Sequence, residues 1–287
     1  MSAPTSRSPL PVIERLSAIA SGYDALFCDA WGVIHDGVAV FEGVAEALTR
    51  FRRTRGPVVI LTNAPRPSSI IPAQLDRLGL PRAAYDAVVT SGDAVRAEIS
   101  ARLPAPAFRL GPEKDDALYH GLAIDFAPLE EARFVICTGL VDDARETPED
   151  YRALLEAMAA RALPMICANP DIVVRWGGRL IYCAGALAQI YEALGGAVVY
   201  GGKPHRPIYD LAMKRVAGIG GRAIAPARIL AIGDGVKTDI AGANAQGLGA
   251  VFVAGAGGVH DGAADAAGET LALSGVEAVA VMESLKW

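Results

Sequence analysis

The feature that most restricts the fold is a series of short, almost unbroken apolar runs, each closed by a polar residue or a glycine. Residues 25 to 33 read ALFCDAWGV, 57 to 64 PVVILTNA and 86 to 92 DAVVTSG; later come AVVYGGKP at 197 to 204, RILAIGDG at 228 to 235 and GAVFVAG at 249 to 255. A strand with one wet face alternates apolar and polar residues. These runs are apolar at consecutive positions, so both faces must be covered, as in a parallel sheet clothed by helices. Stretches of helical spacing separate the runs: VAEALTRFRRT after Gly43, PIYDLAMKRVAG from Pro207 and TDIAGANAQG from Thr238, with Pro207 and Thr238 as start signals. Alternating strand and helix predicts a doubly wound, parallel, Rossmann-like α/β core.

The middle of the chain has a different rhythm. From about Ser91 to Gly196 the strand candidates AFRLG, LAIDF, RFVICTG and PMICAN, with the pair DIVVRW and RLIYCA around Gly177-Gly178, alternate with one clear helix, PEDYRALLEAMAAR. The pair reads as a hairpin turned at the two glycines. This block predicts an α/β cap over residues 91–196, inserted into a core built from 1–90 and 197–287. A length of 287 residues suits such a two-domain plan, and 31 glycines with 18 prolines supply its many tight connections. There is no internal repeat, and the Gly- and Ala-rich stretch from Gly255 to Gly268 is assigned no function.

A net charge of −5 argues against a nucleic-acid partner, whose phosphates need clustered Lys and Arg. No apolar run is long enough to span a bilayer, and the opening MSAPTSRSPLPVIERL lacks the pattern of a secretory signal, so a cytoplasmic protein without a membrane partner is expected. Cys28, Cys137, Cys167 and Cys183 are widely spaced within apolar runs, which suits buried thiols rather than zinc or redox chemistry.

In an open α/β sheet, ligands bind beyond the carboxyl ends of the strands. The residues that close the core runs are therefore the candidates: Asp29 after LFC, Thr62 and Asn63 after VIL, Lys203 after VVYGG, and Asp234 after LAIG with Asp239 five positions on. Carboxylates, a hydroxyl, strand-end amides and one lysine at a single sheet edge suit a hard cation with oxygen ligands and a phosphate. Mg²⁺ takes one or two carboxylates and keeps several waters, which Asp29 and Asp234 can satisfy.

These residues lie in four ordered motifs, DAWGVIHDG, LTNAPR, GGKP and IGDGVKTDIAGA, with ANPD at 168 to 171 and GALAQIYEALGG at 185 to 196 inside the cap. In that order they resemble the haloacid dehalogenase superfamily, and within it the NagD-like class IIA branch, whose cap is inserted between the second and third motifs. The resemblance covers nearly the whole chain. It implies a phosphatase in which Asp29 is the nucleophile and forms an aspartyl-phosphate. Asp29, the Trp31 carbonyl and Asp234 would hold Mg²⁺, with Asp239 supporting through the metal's waters, while Thr62, the Asn63 amide and Lys203 would bind the phosphoryl oxygens. It also implies a small phosphorylated metabolite as substrate, such as a sugar phosphate, glycerol phosphate or nucleotide-type monoester, and a homodimer formed through the cap.

One position departs from that pattern. Most phosphatases of the superfamily carry a second aspartate two residues after the nucleophile, which protonates the leaving oxygen and then activates water. Here that residue is Trp31, whose indole is a donor without acid-base chemistry. A general acid or base contributes roughly 10²- to 10⁴-fold, so slow turnover on alkyl phosphates is expected. His35, Asp36 and His205 are the candidates to replace it, with His205 preferred because Lys203 pins its neighbourhood. His35 and His205 can equally be structural, and Asp36 suits a turn before Gly37. Arg66 closes the second motif, where it matches a loop position of the family or is simply solvated, and Asn169 or Asp171 is expected to touch the core site or to order the cap. Two functions stay open from sequence: a Mg²⁺-dependent phosphatase, and a phospholigand-binding protein that keeps the metal and phosphate site but has lost hydrolysis.

Overall fold

Residues 10–176, 179–255 and 264–287 are described by a computed structural model. The Gly177-Gly178 turn and most of the Gly- and Ala-rich stretch fall outside them. In chain order the first elements are β1 (Ala25–Cys28), α1 (Val44–Thr54), β2 (Val58–Thr62), α2 (Ile71–Leu78), β3 (Ala87–Thr90) and α3 (Ser91–Ser100). The middle contains β4 (Ala107–Leu110), β5 (Phe134–Cys137), α4 (Arg152–Ala160), β6 (Met165–Cys167), β7 (Val173–Trp176), β8 (Arg179–Tyr182), α5 (Ala184–Ala193) and β9 (Val198–Tyr200). The chain closes with α6 (Arg206–Gly220), β10 (Ile229–Gly233), α7 (Ala241–Ala245), β11 (Gly249–Val253), α8 (Ala264–Leu273) and β12 (Ala280–Met282).

Six strands form one parallel sheet in the order β12-β11-β10-β1-β2-β3. Successive residues of β1 face opposite layers: Leu26 and Cys28 pack with Leu48, Phe51 and Ile60, whereas Ala25 and Phe27 pack with Ile208, Tyr209 and Ala212. That two-sided burial is why the run is apolar at every position. On α1, Val44, Ala47, Leu48 and Phe51 are buried at the spacing of one helical face, and each large side chain among them contributes about 1.5–3 kcal/mol. The doubly wound core expected from sequence is present.

Chain direction across this sheet reverses between β1 and β10. From β1 the chain moves to β2 and β3, and it returns from the insertion to fill the other side. In open α/β sheets this switch point leaves a crevice at the carboxyl ends of the two strands. Asp29 follows β1 and Asp234 follows β10, so the fold alone brings the first and fourth motifs together.

A second parallel sheet, β4-β5-β6-β9, builds the cap, with the β7-β8 antiparallel hairpin beside it. One face packs Leu155, Met158, Leu187 and Tyr191 from α4 and α5, and the other packs Val95 and Ile99 from α3 with Leu118. Three expectations are corrected here. The run at 197 to 204, read as a core strand, instead supplies β9, which pairs with β6 through Met165–Val198, Ile166–Val199 and Cys167–Tyr200. Sheet membership thus carries the insertion past 196 to Tyr200. LAIDF forms no strand; only Phe126 bridges to Ala107. The cap block also holds α3 and α5 beside the expected helix at α4. All four cysteines are free and buried, as their apolar surroundings require. Among the described residues, no helix is long and apolar enough to cross a membrane.

Candidate active site at the carboxyl edge of the core sheet

Asp29, Asp234 and Asp239 are buried, and each offers a carboxylate oxygen within 4.8 Å of the others. Lys203, equally buried, lies between two of them: its Nζ donates to Asp29 Oδ1 at 2.6 Å and to Asp239 Oδ1 at 2.7 Å. Burial works against the Lys203 ammonium, but the carboxylates of Asp239, Asp29 and Asp171 together hold its pKa well above the ordinary lysine value. Burial, followed by repulsion from Asp239, pushes Asp29 above the usual carboxylate range against the pull of Lys203.

Small residues make this convergence sterically feasible. Gly32 has φ +77°, and a Cβ there would lie 2.3 Å from Asp234 Oδ2. Gly233 is equally confined, because a Cβ would stand 2.1 Å from Asp239 Cγ. The first turn after β10 is wide, a π-type turn over Val236–Ile240, which lets Asp239 swing back so that its Oδ2 accepts from the Gly235 N–H at 3.1 Å.

Asn63 is the junction of three segments. Its Oδ1 accepts the Lys203 backbone N–H at 2.7 Å, and its Nδ2 donates to the Lys203 carbonyl at 3.2 Å and to Asp171 Oδ1 at 2.8 Å. The second motif, the third motif and the cap meet in one side chain. Gly202 permits the contact, since a Cβ there would lie 2.4 Å from Asn63 Oδ1 and 2.8 Å from Pro170 Cδ. Thr62, the last residue of β2, is buried with its hydroxyl accepting from the Ala64 N–H at 3.3 Å.

A narrow cavity of about 40 Å³ is lined by Asp29, Asp234, Asp239, Thr238, Trp31 and Asp171 among others. It adjoins a cleft of about 280 Å³ between core and cap, walled by Trp31, Trp176 and Tyr182 on the aromatic side and by Arg66, Lys114 and Asp115 on the charged side. Arg66 Nε stands 3.6 Å from Asp115 Oδ1. Trp31, Asp171 and Val174 line both spaces, so they mark the passage between them.

The other candidates fall elsewhere. His205, the preferred replacement acid or base from sequence, does not line the cavity at Asp29 but a neighbouring one that shares Asp171, Val173, Gly235 and Thr238 with it. It caps the start of α6, its N–H bonds to Gly202 O at 2.9 Å, and its ring stacks on Tyr200 with centroids 4.6 Å apart. His35 is buried, its Nδ1 accepts the Gly37 N–H at 3.1 Å, and its ring meets Trp31 edge-on at 5.0 Å; burial lowers its pKa to about 4, which keeps the imidazole neutral at pH 7. Asp36 forms the turn its sequence suggested, accepting from the Val38 and Ala39 N–H groups. Asn169 orders the cap loop by accepting the Asp171 N–H at 3.1 Å, while Asp171 reaches the core. Thr238 in the cavity lies inside the fourth motif but was read only as a helix start, whereas Trp176 and Tyr182 in the cleft carried no motif signal, because cap walls are fixed by packing rather than by local pattern.

The donor set fits a divalent cation. Asp29, Asp234 and Asp239 bring carboxylate oxygens within 4.8 Å of one another in a buried site, the donor type that a hard, oxygen-liganded ion such as Mg²⁺ takes. Asp29, Asp234 and the Trp31 carbonyl are the residues that would hold it, with Asp239 behind them.

Residues 26–124 match a family model described as haloacid dehalogenase-like hydrolase, and residues 200–285 match a second, HAD-hydrolase-like model. Among solved structures, a haloacid dehalogenase-like hydrolase from Brucella suis 1330 is 45% identical, with a TM-score of 0.87, over 96% of this chain and 100% of that one. A glycerol phosphate phosphatase from Mycobacterium tuberculosis, in complex with magnesium, is 28% identical with a TM-score of 0.62, over 87% of this chain and 72% of that one. NagD from E. coli K-12 shares the fold at 22% identity and a TM-score of 0.66, over 91% and 96% of the two chains. A search of curated proteins found no significant match.

Proposed function

The chain belongs to the haloacid dehalogenase-like hydrolases, and from that premise we propose that it is a Mg²⁺-dependent phosphatase that hydrolyses a small phosphorylated metabolite through an aspartyl-phosphate on Asp29. The observation that carries this reading is the buried set of Asp29, Asp234 and Asp239 around Lys203 at the switch point of the sheet.

In this reading the Asp29 carboxylate attacks phosphorus, and the Lys203 ammonium, held beside it, neutralises charge on the phosphoryl oxygens. Thr62 and the Asn63 amide close the oxygen-binding arc at the end of β2. Asn63 fixes Lys203 from both sides of its backbone, so the ammonium is positioned before substrate arrives. Preorganised charge of this kind is the main protein contribution to phosphoryl transfer. Bound Mg²⁺ supplies the remaining positive charge against the dianionic phosphate. The cleft over Trp31 takes the rest of the substrate, and its volume of about 280 Å³ supports a small metabolite rather than a polymer.

The test is phosphate release from p-nitrophenyl phosphate and a panel of metabolite monoesters, with Mg²⁺ or with chelator. Release that requires Mg²⁺ and is lost in Asp29→Asn supports the reading. Equal silence of wild type and variant on every ester favours the binding protein instead.

A further inference from the structure

With Trp31 at the position of the usual acid, some other group must protonate the leaving oxygen, and the structure narrows the choice. His35 and Asp36 bond the loop after β1, and His205 lines a neighbouring cavity that shares Asp171, Val173, Gly235 and Thr238 with the one at Asp29 but does not reach Asp29 itself. Of the carboxylates and imidazoles lining the cavity at Asp29, three are the proposed nucleophile and metal-side aspartates. The fourth is Asp171.

Its location suits the task. Asp171 lines both the cavity at Asp29 and the cleft that would receive the leaving group, a place it shares with Trp31 itself. The loop that carries it is anchored on several sides. Asn169 Oδ1 accepts its N–H, its carbonyl accepts the Gly185 N–H at 3.1 Å, and a Cβ on Gly185 would come within 2.5 Å of that carbonyl oxygen. Asn63 engages Oδ1 at 2.8 Å, which orients the carboxyl and leaves its second oxygen for another partner. Burial also raises its pKa above the ordinary carboxylate value, the direction that an acid requires.

We infer that Asp171, a cap residue, is the general acid and base of this enzyme, standing in for the aspartate that Trp31 replaces. The inference rests on the phosphatase reading above. As an Asp29 oxygen bonds to phosphorus, the bond from phosphorus to the ester oxygen breaks, its electron pair stays on that oxygen, and the Asp171 carboxyl gives the oxygen its proton. The alcohol departs. Asp171, now a carboxylate, takes a proton from water as the water oxygen bonds to phosphorus and the bond to Asp29 breaks. Phosphate, the Asp29 carboxylate and protonated Asp171 result, and the net change is ester plus water to alcohol plus phosphate.

The test compares two esters of nearly the same shape on wild type, Asp171→Asn and Asp29→Asn. Phenyl phosphate releases a phenol with a pKa like that of tyrosine, about 10, and so needs a proton; p-nitrophenyl phosphate releases a much weaker base. Asp171→Asn should lower kcat/KM for phenyl phosphate by about 10²- to 10³-fold and for p-nitrophenyl phosphate by less than about tenfold. An equal loss on both esters, as a merely structural role would give, or no loss on either, overturns the inference. If Asp171→Asn does not fold, the wild type alone decides: with an acid in place its kcat/KM values for the two esters lie within about tenfold, and a gap beyond about 10² refutes the assignment. Silence of the wild type on both esters is the separate failure of the phosphatase reading.

Discussion

Replacing Lys203 with methionine removes the cation that bridges Asp29 and Asp239, while keeping most of the side-chain volume. At 2.6 and 2.7 Å, with an effective dielectric of about 20, each contact carries about 6 kcal/mol of Coulomb attraction before desolvation is counted. Desolvation of three buried groups offsets most of that. Measured losses when one partner of a buried pair is deleted run at about 3–5 kcal/mol. In chelator at neutral pH, Lys203→Met should therefore lower the melting temperature on the order of 10 °C. The ammonium also repels any cation bound by the same carboxylates. The rise in melting temperature on adding Mg²⁺ should accordingly be larger in the variant than in wild type, because tighter binding to the native state stabilises it more. Differential scanning fluorimetry across a Mg²⁺ series reads both quantities. A variant as stable as wild type in chelator, with an identical Mg²⁺ shift, would refute the claim that this lysine compensates the cluster.

Three other perturbations probe separate parts of the account. Gly32→Ala places a methyl 2.3 Å from Asp234 Oδ2 on a backbone with φ +77°; displacing that carboxylate by about an ångström should cost about 10²-fold in kcat/KM, which a Mg²⁺ titration of phosphate release measures. Asn63→Ala strands the buried Lys203 N–H that Oδ1 now accepts, and urea unfolding should show a loss of about 1–3 kcal/mol for that bond alone. Asp115 is buried and its pKa is raised to about 6, chiefly by desolvation and against the pull of Arg66. The folded state therefore holds its proton more tightly than the unfolded chain, so stability from this group is full below about pH 4 and is lost as pH rises through 6, by up to about 3 kcal/mol. Asp115→Asn should erase that component from the difference between unfolding curves at pH 4 and pH 7, and an unchanged pH dependence would count against it.

The core was legible because two-sided burial writes itself locally: ALFC and ILAIG are apolar throughout since their neighbours cover both faces. The strand-end rule then placed Asp29, Thr62, Asn63, Lys203, Asp234 and Asp239 at one edge, where all six are buried. Sheet membership was not legible. Val198–Tyr200 is a short, half-buried apolar run like any other, and only pairing with β6 assigns it to the cap. The same blindness explains His205. Two positions after Lys203 along the chain, it caps α6 and its ring stacks on Tyr200, so proximity in sequence did not become proximity in the cavity. Asp171 shows the reverse, since the 108 positions between it and Asn63 are closed by packing of the cap.

The central claim is that Asp29 carries the phosphoryl group during turnover, and it can be observed directly. Wild type and Asp29→Asn would be mixed with p-nitrophenyl phosphate and Mg²⁺, quenched in acid within the first turnovers, digested, and mapped by mass spectrometry. The account predicts a phosphate adduct on the peptide containing Asp29 in wild type, and neither adduct nor nitrophenolate release in the variant. Steady turnover by wild type with no adduct, together with an Asp29→Asn enzyme that releases nitrophenolate at the wild-type rate, would contradict it.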